Sequence, residues 1–256
     1  MNLLKSRFST WLFILLISLG PSLPLYALQN TKPRYAVGVA SILHSHEFIQ
    51  KNPALTYWKL SPYYLPQLTE SSCSLASGTM IINAARSEQL FDARQLLATQ
   101  ADVLMNIKNW EQYVKTGGDG LTLDQLGEFM SLALKIYGLK NFKIQVIHTS
   151  DTSPKTALKL HQALIENEKS GRSFMIANFN QKFFTGNEDV GHFAPVGAYD
   201  IKKARVLLMD PDRTQYEPYW VPEKLFLESM ATRDSTDQKF RGYLIISWEP
   251  VLESLP

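Results

Sequence analysis

The sequence predicts an α+β fold in which helices and an antiparallel sheet form two parts of one domain. Apolar residues recur with helical spacing after Cys73 and again over residues 121–137, whereas residues 173–209 and 241–248 contain short apolar runs typical of strands. Cys73 is the only cysteine among the 256 residues, and it lies at the start of the first helical segment.

Capping residues define the two longest helices. Thr122 and Gln125 have the spacing of a capping box, and Gly138 is a typical terminator, so a helix is predicted over residues 121–137. Ser153 and Pro154 open a second helix that continues to about residue 169 and stops before the next glycine. Strands are predicted at Phe142–His148, Ser173–Phe179, His192–Tyr199, Arg205–Met209 and Arg241–Trp248.

Residues 1–27 have the pattern of a secretion signal. They begin with basic Lys5 and Arg7, continue with an apolar core and end at the small residue Ala27. The apolar core is shorter than the roughly 20 residues that cross a bilayer, so a cleaved signal is predicted rather than an anchor. We therefore expect an exported protein, periplasmic or secreted, with one folded domain at residues 28–256 and no membrane association after cleavage.

Charge and ligand chemistry argue against a nucleic-acid partner and against a structural metal site. The formal net charge is +2 and no basic stripe occurs, so nucleic acid is not expected. A structural metal site needs four ligands, and the chain has one cysteine and five histidines. His44 and His46 have a chelating spacing, but a solvated or capping role is favoured, and no metal site is predicted. His161 is also expected to be solvated, and His148 to be hydrogen-bonded at a strand end.

Cys73 is a candidate nucleophile. A lone cysteine is often a small buried apolar residue, but an exported chain with one cysteine has no internal disulfide, so its thiol is free for chemistry. A helix N-terminus favours the thiolate, because unpaired N–H groups and the helix dipole stabilise negative charge. Gln67 lies six residues earlier, where its amide can join the Cys73 backbone N–H in an oxyanion hole.

A nucleophilic cysteine needs a histidine to accept its proton and a carboxylate or amide to orient that histidine. His192 opens one predicted strand and Asp210 follows the next, so a hairpin sets the two side chains next to each other. Asp200 and Asp212 are rivals for the orienting role. Asp210 can also be only a turn residue before Pro211.

Segments around these residues resemble the phytochelatin synthase family, whose members are glutathione γ-glutamylcysteinyltransferases. The resemblance covers roughly residues 55 to 248, and its segments occur in the family's order. It implies a papain-like cysteine peptidase fold, with a helical lobe packed on an antiparallel sheet lobe, and makes residues 28–256 the catalytic domain. The resembling segments are residues 67–85, 121–126, 146–152, 191–200, 210–222 and 241–243.

The resemblance assigns the catalytic roles. Cys73 is the nucleophile, His192 the general base, Asp210 the orienting carboxylate and Gln67 the oxyanion amide. One departure is next to the nucleophile, where Ser74 replaces a glycine that is usual in the family. Its Cβ is expected to crowd the approach of the substrate without removing a catalytic group.

The resemblance also implies substrate-binding residues. Arg241 is expected to bind a carboxylate in a bidentate manner, Asp234 to accept from an α-ammonium group, and Lys182 to add a positive charge. Gln181 stands where the family tends to carry an arginine, and residues 189–190 lack a further basic residue.

The implied function is removal of glycine from glutathione through a γ-Glu-Cys thioester, with hydrolysis favoured over transpeptidation because basic residues are missing. No cofactor is required, and cadmium or zinc is expected to stimulate only as a glutathione thiolate complex. The resemblance leaves a homodimer open. Two alternatives remain: a papain-like peptidase or amidase acting on another γ-glutamyl or peptidoglycan-like amide, and a non-catalytic protein that binds metal or glutathione.

Overall fold

An antiparallel sheet is the main feature of the fold. The computed structural model describes residues 33–87, 94–186 and 189–248, so the predicted signal at residues 1–27 lies outside the described residues. The strands are β1 (Ala40–Ser41), β2 (Phe142–His148), β3 (Ser173–Asn180), β4 (Gly191–Asp200), β5 (Arg205–Leu208), β6 (Tyr219–Pro222) and β7 (Gly242–Trp248). Within the described residues they form a seven-stranded sheet in the order β1, β6, β5, β4, β3, β7, β2.

Helices precede the sheet in the chain and also alternate with its strands. The α-helices are α1 (Glu47–Lys51), α2 (Leu55–Leu60), α3 (Cys73–Arg86), α4 (Gln100–Asn106), α5 (Glu111–Val114), α6 (Leu123–Ile136), α7 (Pro154–Ser170) and α8 (Glu223–Met230). Among the described residues, no helix is both long and apolar enough to cross a bilayer. The mixture of helices with an antiparallel sheet confirms the α+β prediction.

The sheet is buried on both faces, and β3 shows how. Phe174 and Ile176 point to the side where α3 and α6 pack, whereas Met175 and Ala177 point to the side of α7 and α8. Alternate residues of a strand face opposite sides of a sheet, so a continuous apolar run is needed to fill both layers. All eight residues of β3 are buried.

The capping signals correctly located α6 and α7. The Thr122 side chain accepts from the backbone N–H of Gln125, and the Gln125 side chain accepts from the backbone N–H of Thr122, which completes the capping box. Ser153 caps α7, and Gly171 ends it in the left-handed conformation with φ of 59°. Strand β2 has the predicted bounds.

Two elements next to the site were not predicted. Strand β6 has four residues and pairs with β5 and β1, and α8 follows it directly. Strand β6 is too short to show a period of its own, and α8 follows it without a side-chain cap, although Phe226, Leu227 and Met230 form a buried face of that helix.

Candidate active site

Cys73 is the first residue of α3 and is 6% exposed. The turn before it is held by Ser72, whose Oγ accepts from the backbone N–H groups of Leu68 and Thr69, each at 2.8 Å. All fourteen residues of α3 are buried, so the packing of the whole helix fixes the position of the sulfur. The thiol is free, as predicted.

The β4–β5 hairpin brings the histidine and the aspartate together. His192 lies at the start of β4, and Asp210 follows β5, the antiparallel neighbour of β4. His192 Nε2 lies 2.7 Å from Asp210 Oδ1, with both side chains buried. The other two candidates for the orienting carboxylate contact other residues: Asp200 pairs with Arg205 at 3.1 Å, and Asp212 accepts a hydrogen bond from Thr214.

His192 also has a hydrogen-bond interaction with Cys73. Since Nε2 faces Asp210, Nδ1 is the ring nitrogen that remains for the sulfur. Burial disfavours the charged ring, but the charges of Asp210 and Cys73 and the hydrogen bonds to both outweigh it and hold the pKa of His192 well above its usual range. The imidazole is therefore in position to exchange a proton with the thiol.

Asp210 is held by four donors. Burial disfavours its charged form, but the charge of His192 and the hydrogen bonds from His192, Tyr219 and the Asp212 backbone outweigh this and lower the pKa of Asp210. Tyr219 Oη donates to Oδ2 at 2.7 Å, and the Asp212 N–H donates to Oδ1 at 2.8 Å. Tyr64 Oη donates to the Asp210 backbone carbonyl at 2.6 Å. The carboxylate therefore has one fixed orientation toward His192.

Gln67 is anchored next to this aspartate. Its backbone N–H donates to the carbonyl of Pro211 at 2.8 Å. Its side-chain Oε1 is buried without a hydrogen-bond partner among the described residues. The backbone contact positions Gln67 beside the segment that carries Asp210.

A cleft of about 270 Å³ opens beside Cys73. Its charged lining residues among those described are four acids and one base, namely Glu70, Asp119, Asp189, Asp234 and Arg241. Asn178 also lines the cleft, and its Oδ1 is buried without a hydrogen-bond partner. The cleft thus combines a nucleophile with a negative lining that contains a single guanidinium.

Arg241 and Asp234 face this cleft, as their predicted role requires. Arg241 is 4% exposed, and its guanidinium donates to Thr232 Oγ1 at 3.2 Å and to the carbonyl of Arg233. Its Nε lies 3.8 Å from Asp234 Oδ2 and has no hydrogen-bond partner among the described residues. A buried guanidinium donor that faces a cleft and lacks a partner can bind an acceptor of a ligand.

Lys182 lies differently from the other predicted residues. Its Nζ pairs with the carboxylate of Asp189, which also accepts from Asn180. Asp189 lines the cleft, but Lys182 is not among the lining residues that the structure describes. The positive charge of Lys182 is therefore directed to an acid at the cleft rather than into the cleft itself.

Two sequence-based expectations outside this set need correction. Ser74 is fully buried and its Oγ faces Trp110 Nε1 at 3.5 Å, so its Cβ does not crowd the cleft. His161 is not simply solvated, because its Nδ1 lies 3.1 Å from Glu223 and 2.8 Å from Tyr199 Oη. His44 and His46 are exposed, as expected.

Sequence reasoning missed Tyr219 and Asn178. Tyr219 belongs to β6, which the sequence did not reveal, and Asn178 belongs to β3, where a polar residue in an apolar run was a signal. That signal could have been used, because a buried amide requires a partner.

Most of the chain matches a family of known proteins in sequence. The phytochelatin synthase family profile matches residues 40–243. Glutathione gamma-glutamylcysteinyltransferase 1 from Arabidopsis thaliana is 25% identical over 202 residues, which cover 79% of this chain and 39% of the relative. The Schizosaccharomyces pombe glutathione gamma-glutamylcysteinyltransferase is 27% identical over 208 residues, which cover 77% and 45%.

This chain spans less than half the length of these two curated relatives. The matched segment nevertheless contains the residues that form the contact from Cys73 through His192 to Asp210 and the residues that line the adjacent cleft. The chain belongs to the phytochelatin synthase family.

Proposed function

We propose that the chain is a glutathione γ-glutamylcysteinyltransferase that removes glycine from glutathione through a thioester on Cys73, with hydrolysis favoured over transpeptidation. The observation that carries the proposal is the buried contact from Cys73 through His192 to Asp210 at a cleft that bears Arg241. This arrangement supplies a nucleophile, a proton carrier and an orienting carboxylate, which are the groups that acyl transfer through cysteine needs.

The chemistry follows from the positions of these groups. The Cys73 thiolate attacks the carbonyl carbon of the cysteinyl–glycine amide, and Gln67 with the Cys73 backbone N–H stabilises the oxyanion. As the C–N bond breaks, His192 donates a proton to the glycine nitrogen, and γ-glutamylcysteine remains on the sulfur as a thioester. His192 then takes a proton from a water molecule, whose oxygen attacks the thioester, releases γ-glutamylcysteine and restores the thiolate.

The cleft suits the amino-acid end of the γ-glutamyl group. Arg241 can donate to its α-carboxylate, and Asp234 can accept from its α-ammonium. The unpartnered Oδ1 of Asn178 offers a second acceptor for the ammonium. Lys182 can contribute only through Asp189, with which it forms an ion pair.

The charge of the cleft supports hydrolysis over transfer. Glutathione has two carboxylates and one ammonium group at neutral pH, and the described lining has four acids against one base. Arg241 and Asp234 can hold the first glutathione, but the described lining has no second base for an acceptor glutathione, and water needs none. The volume of about 270 Å³ also lies below the roughly 300 to 1,000 Å³ of common small-molecule pockets, which leaves room for one tripeptide rather than two.

The first prediction is that the purified protein releases free glycine from glutathione and that Cys73→Ala and Cys73→Ser abolish this release. Serine is a poor replacement, because its hydroxyl needs a stronger base than the imidazole of a cysteine site provides. Glycine is measured by chromatography, and mass spectrometry should find one γ-glutamylcysteinyl unit on the peptide that contains Cys73.

Full activity in Cys73→Ala, or an adduct on another residue, would end this mechanism. Circular dichroism of both variants controls for folding. If glutathione is inert but a different γ-glutamyl amide is cleaved in a Cys73-dependent manner, the amidase alternative replaces the proposal. If no amide is cleaved, the non-catalytic alternative stands.

The second prediction concerns the products. With millimolar glutathione we expect mainly γ-Glu-Cys and glycine, little chain extension, and only weak stimulation by cadmium or zinc, which act as thiolate complexes of the substrate. Chromatography of the products with and without cadmium tests this. Abundant (γ-Glu-Cys)₂-Gly and longer oligomers would refute the preference for hydrolysis and indicate a working phytochelatin synthase.

Export through the signal at residues 1–27 and a homodimeric state remain predictions. The cysteine chemistry requires neither of them, because the site is formed within residues 33–248 of one chain.

A further inference from the structure

One wall of the cleft is a short segment, residues 231–241, which we call the cleft loop. It contributes Asp234, Ser235, Thr236 and Arg241 to the lining. Its internal bonds join its own ends, since the Asp234 N–H donates to the carbonyl of Lys239 at 2.8 Å and Arg233 forms an isolated bridge with Phe240. These bonds give the loop a shape but do not fix it to the rest of the protein.

Three contacts attach the cleft loop to β2 and α6. The Thr149 N–H donates to the carbonyl of Arg241 at 2.8 Å. His148 Nδ1 forms a hydrogen bond with the carbonyl of Phe240. Lys239 Nζ lies 2.5 Å from Asp124 Oδ2. The start of the loop is also joined to α8, where Thr232 Oγ1 donates to the carbonyl of Ser229 at 2.8 Å, so the three contacts above hold the end of the loop that carries Phe240 and Arg241.

His148 connects two of these contacts. Its Nε2 lies 3.1 Å from Asp124 Oδ1, the carboxylate that also binds Lys239. A backbone carbonyl and a carboxylate only accept hydrogen bonds, so the ring faces an acceptor at each of its two nitrogens. The ring thus links the backbone of the cleft loop to the first turn of α6.

We propose that His148 is a positioning residue, whose Nδ1 contact with the Phe240 carbonyl holds the cleft loop so that Arg241 and Asp234 face the substrate. The proposal rests on the function proposed above. His148 does not line the cleft among the described residues, so its effect on the reaction must pass through the loop.

The test replaces His148 by phenylalanine, asparagine and glutamine and separates KM from kcat with glutathione. His148→Phe should raise KM about 10-fold or more and change kcat less than about 3-fold, because Arg241 and Asp234 bind parts of the substrate that do not react. The amide nitrogen of asparagine lies where Nδ1 was, so His148→Asn should keep the bond to Phe240 and a KM within about 3-fold of the original. Glutamine reaches only the position of Nε2, so His148→Gln should resemble phenylalanine.

The matched control is His161→Phe. His161 has a similar exposure to His148, 36% against 30%, and also pairs with a carboxylate at 3.1 Å, but it ties α7 to α8. It should leave KM unchanged. A fall in kcat without a rise in KM for His148→Phe, or equal KM values for the asparagine and phenylalanine variants, would overturn the proposal. If His148→Phe does not fold, the asparagine and glutamine variants decide.

A second measurement does not use glutathione and separates failure of this proposal from failure of the proposed function. Cys73 is the only thiol, so its alkylation rate can be followed directly with anionic iodoacetate and neutral iodoacetamide. A well-placed Arg241 favours the anionic reagent, so His148→Phe should lower the iodoacetate-to-iodoacetamide rate ratio by about 3-fold or more. An unchanged ratio rejects the positioning role, even if the protein releases no glycine at all.

Discussion

His192 is the residue on which the site depends most, because it contacts both the sulfur and the carboxylate. Its Nε2 is used by Asp210 at 2.7 Å, which leaves the other nitrogen for Cys73. Asp210 in turn is fixed by Tyr219, Tyr64 and the Asp212 backbone. A change at Asp210 therefore affects the chemistry only through the orientation and charge of His192.

This dependence gives the prediction that His192→Ala and Asp210→Ala act as a unit. Each single change should lower glycine release on the order of 10²-fold or more, and the double variant should lose much less than the product of the two. Steady-state kinetics of the three variants test it, with folding checked by circular dichroism. Multiplicative losses would show that Asp210 does not orient His192.

The sequence revealed residues whose chemistry is rare and whose neighbours form a motif. Cys73 was visible because it is the only cysteine, and the contact of His192 with Asp210 followed from two consecutive strands. Tyr219 was not visible, because its contact with Asp210 depends on how β6 pairs with β5. The sequence also could not show where the Lys182 side chain points, since this depends on its ion pair with Asp189.

At the level of elements, a half-buried carboxyl group connects α7 with β4. Glu168 of α7 accepts from the backbone N–H of Tyr199 at the end of β4, at 2.8 Å. Burial, offset in part by this hydrogen bond, raises the pKa of Glu168 to about 7 from 4.5. A raised carboxyl pKa means that the folded protein binds the proton more tightly, so this contribution to stability is present below pH 4.5 and is lost as pH rises through about 7.

Glu168→Gln should therefore raise the free energy of unfolding at pH 8 by about 1 to 2 kcal/mol, a figure reduced for solvent screening of a half-buried group. The increase should be smaller at pH 5. The amide oxygen still accepts from Tyr199, so the packing is kept. Urea unfolding at both pH values measures the difference. Glu166→Gln, on the exposed side of the same helix, is the control and should show no such pH dependence. Equal effects of Glu168→Gln at pH 5 and pH 8 would contradict the argument.

Helices that are bounded by capping residues were predicted well. Short strands that exist only because neighbouring strands pair with them were not. The bounds of α6 and α7 followed from the Thr122 capping box and from Ser153 and Gly171, which act locally. Strand β1 has two residues and β6 has four. Such short strands exist because the sheet supplies their partners, and this information is not local.

At the scale of the molecule, the site lies where the helical part meets the sheet. Cys73 comes from α3, whereas His192 and Asp210 come from the β4–β5 hairpin, and one apolar cluster that includes Leu75 of α3 and Phe193 of β4 joins them. The distance between sulfur and imidazole is therefore set by core packing and not by a local turn.

The sheet order also makes β7 the strand on which the connection between β2 and β3 depends. Strand β7 lies between β3 and β2, and among the described residues β2 pairs only with β7, through contacts such as His148 with Gly242. Before residues 242–248 insert, β2 has no strand partner among the described residues, and one edge of β3 is unpaired. Pairing over such sequence distances is slow, and exposed edges aggregate. The edges of β2 and β3 are therefore exposed to other chains until β7 inserts between them.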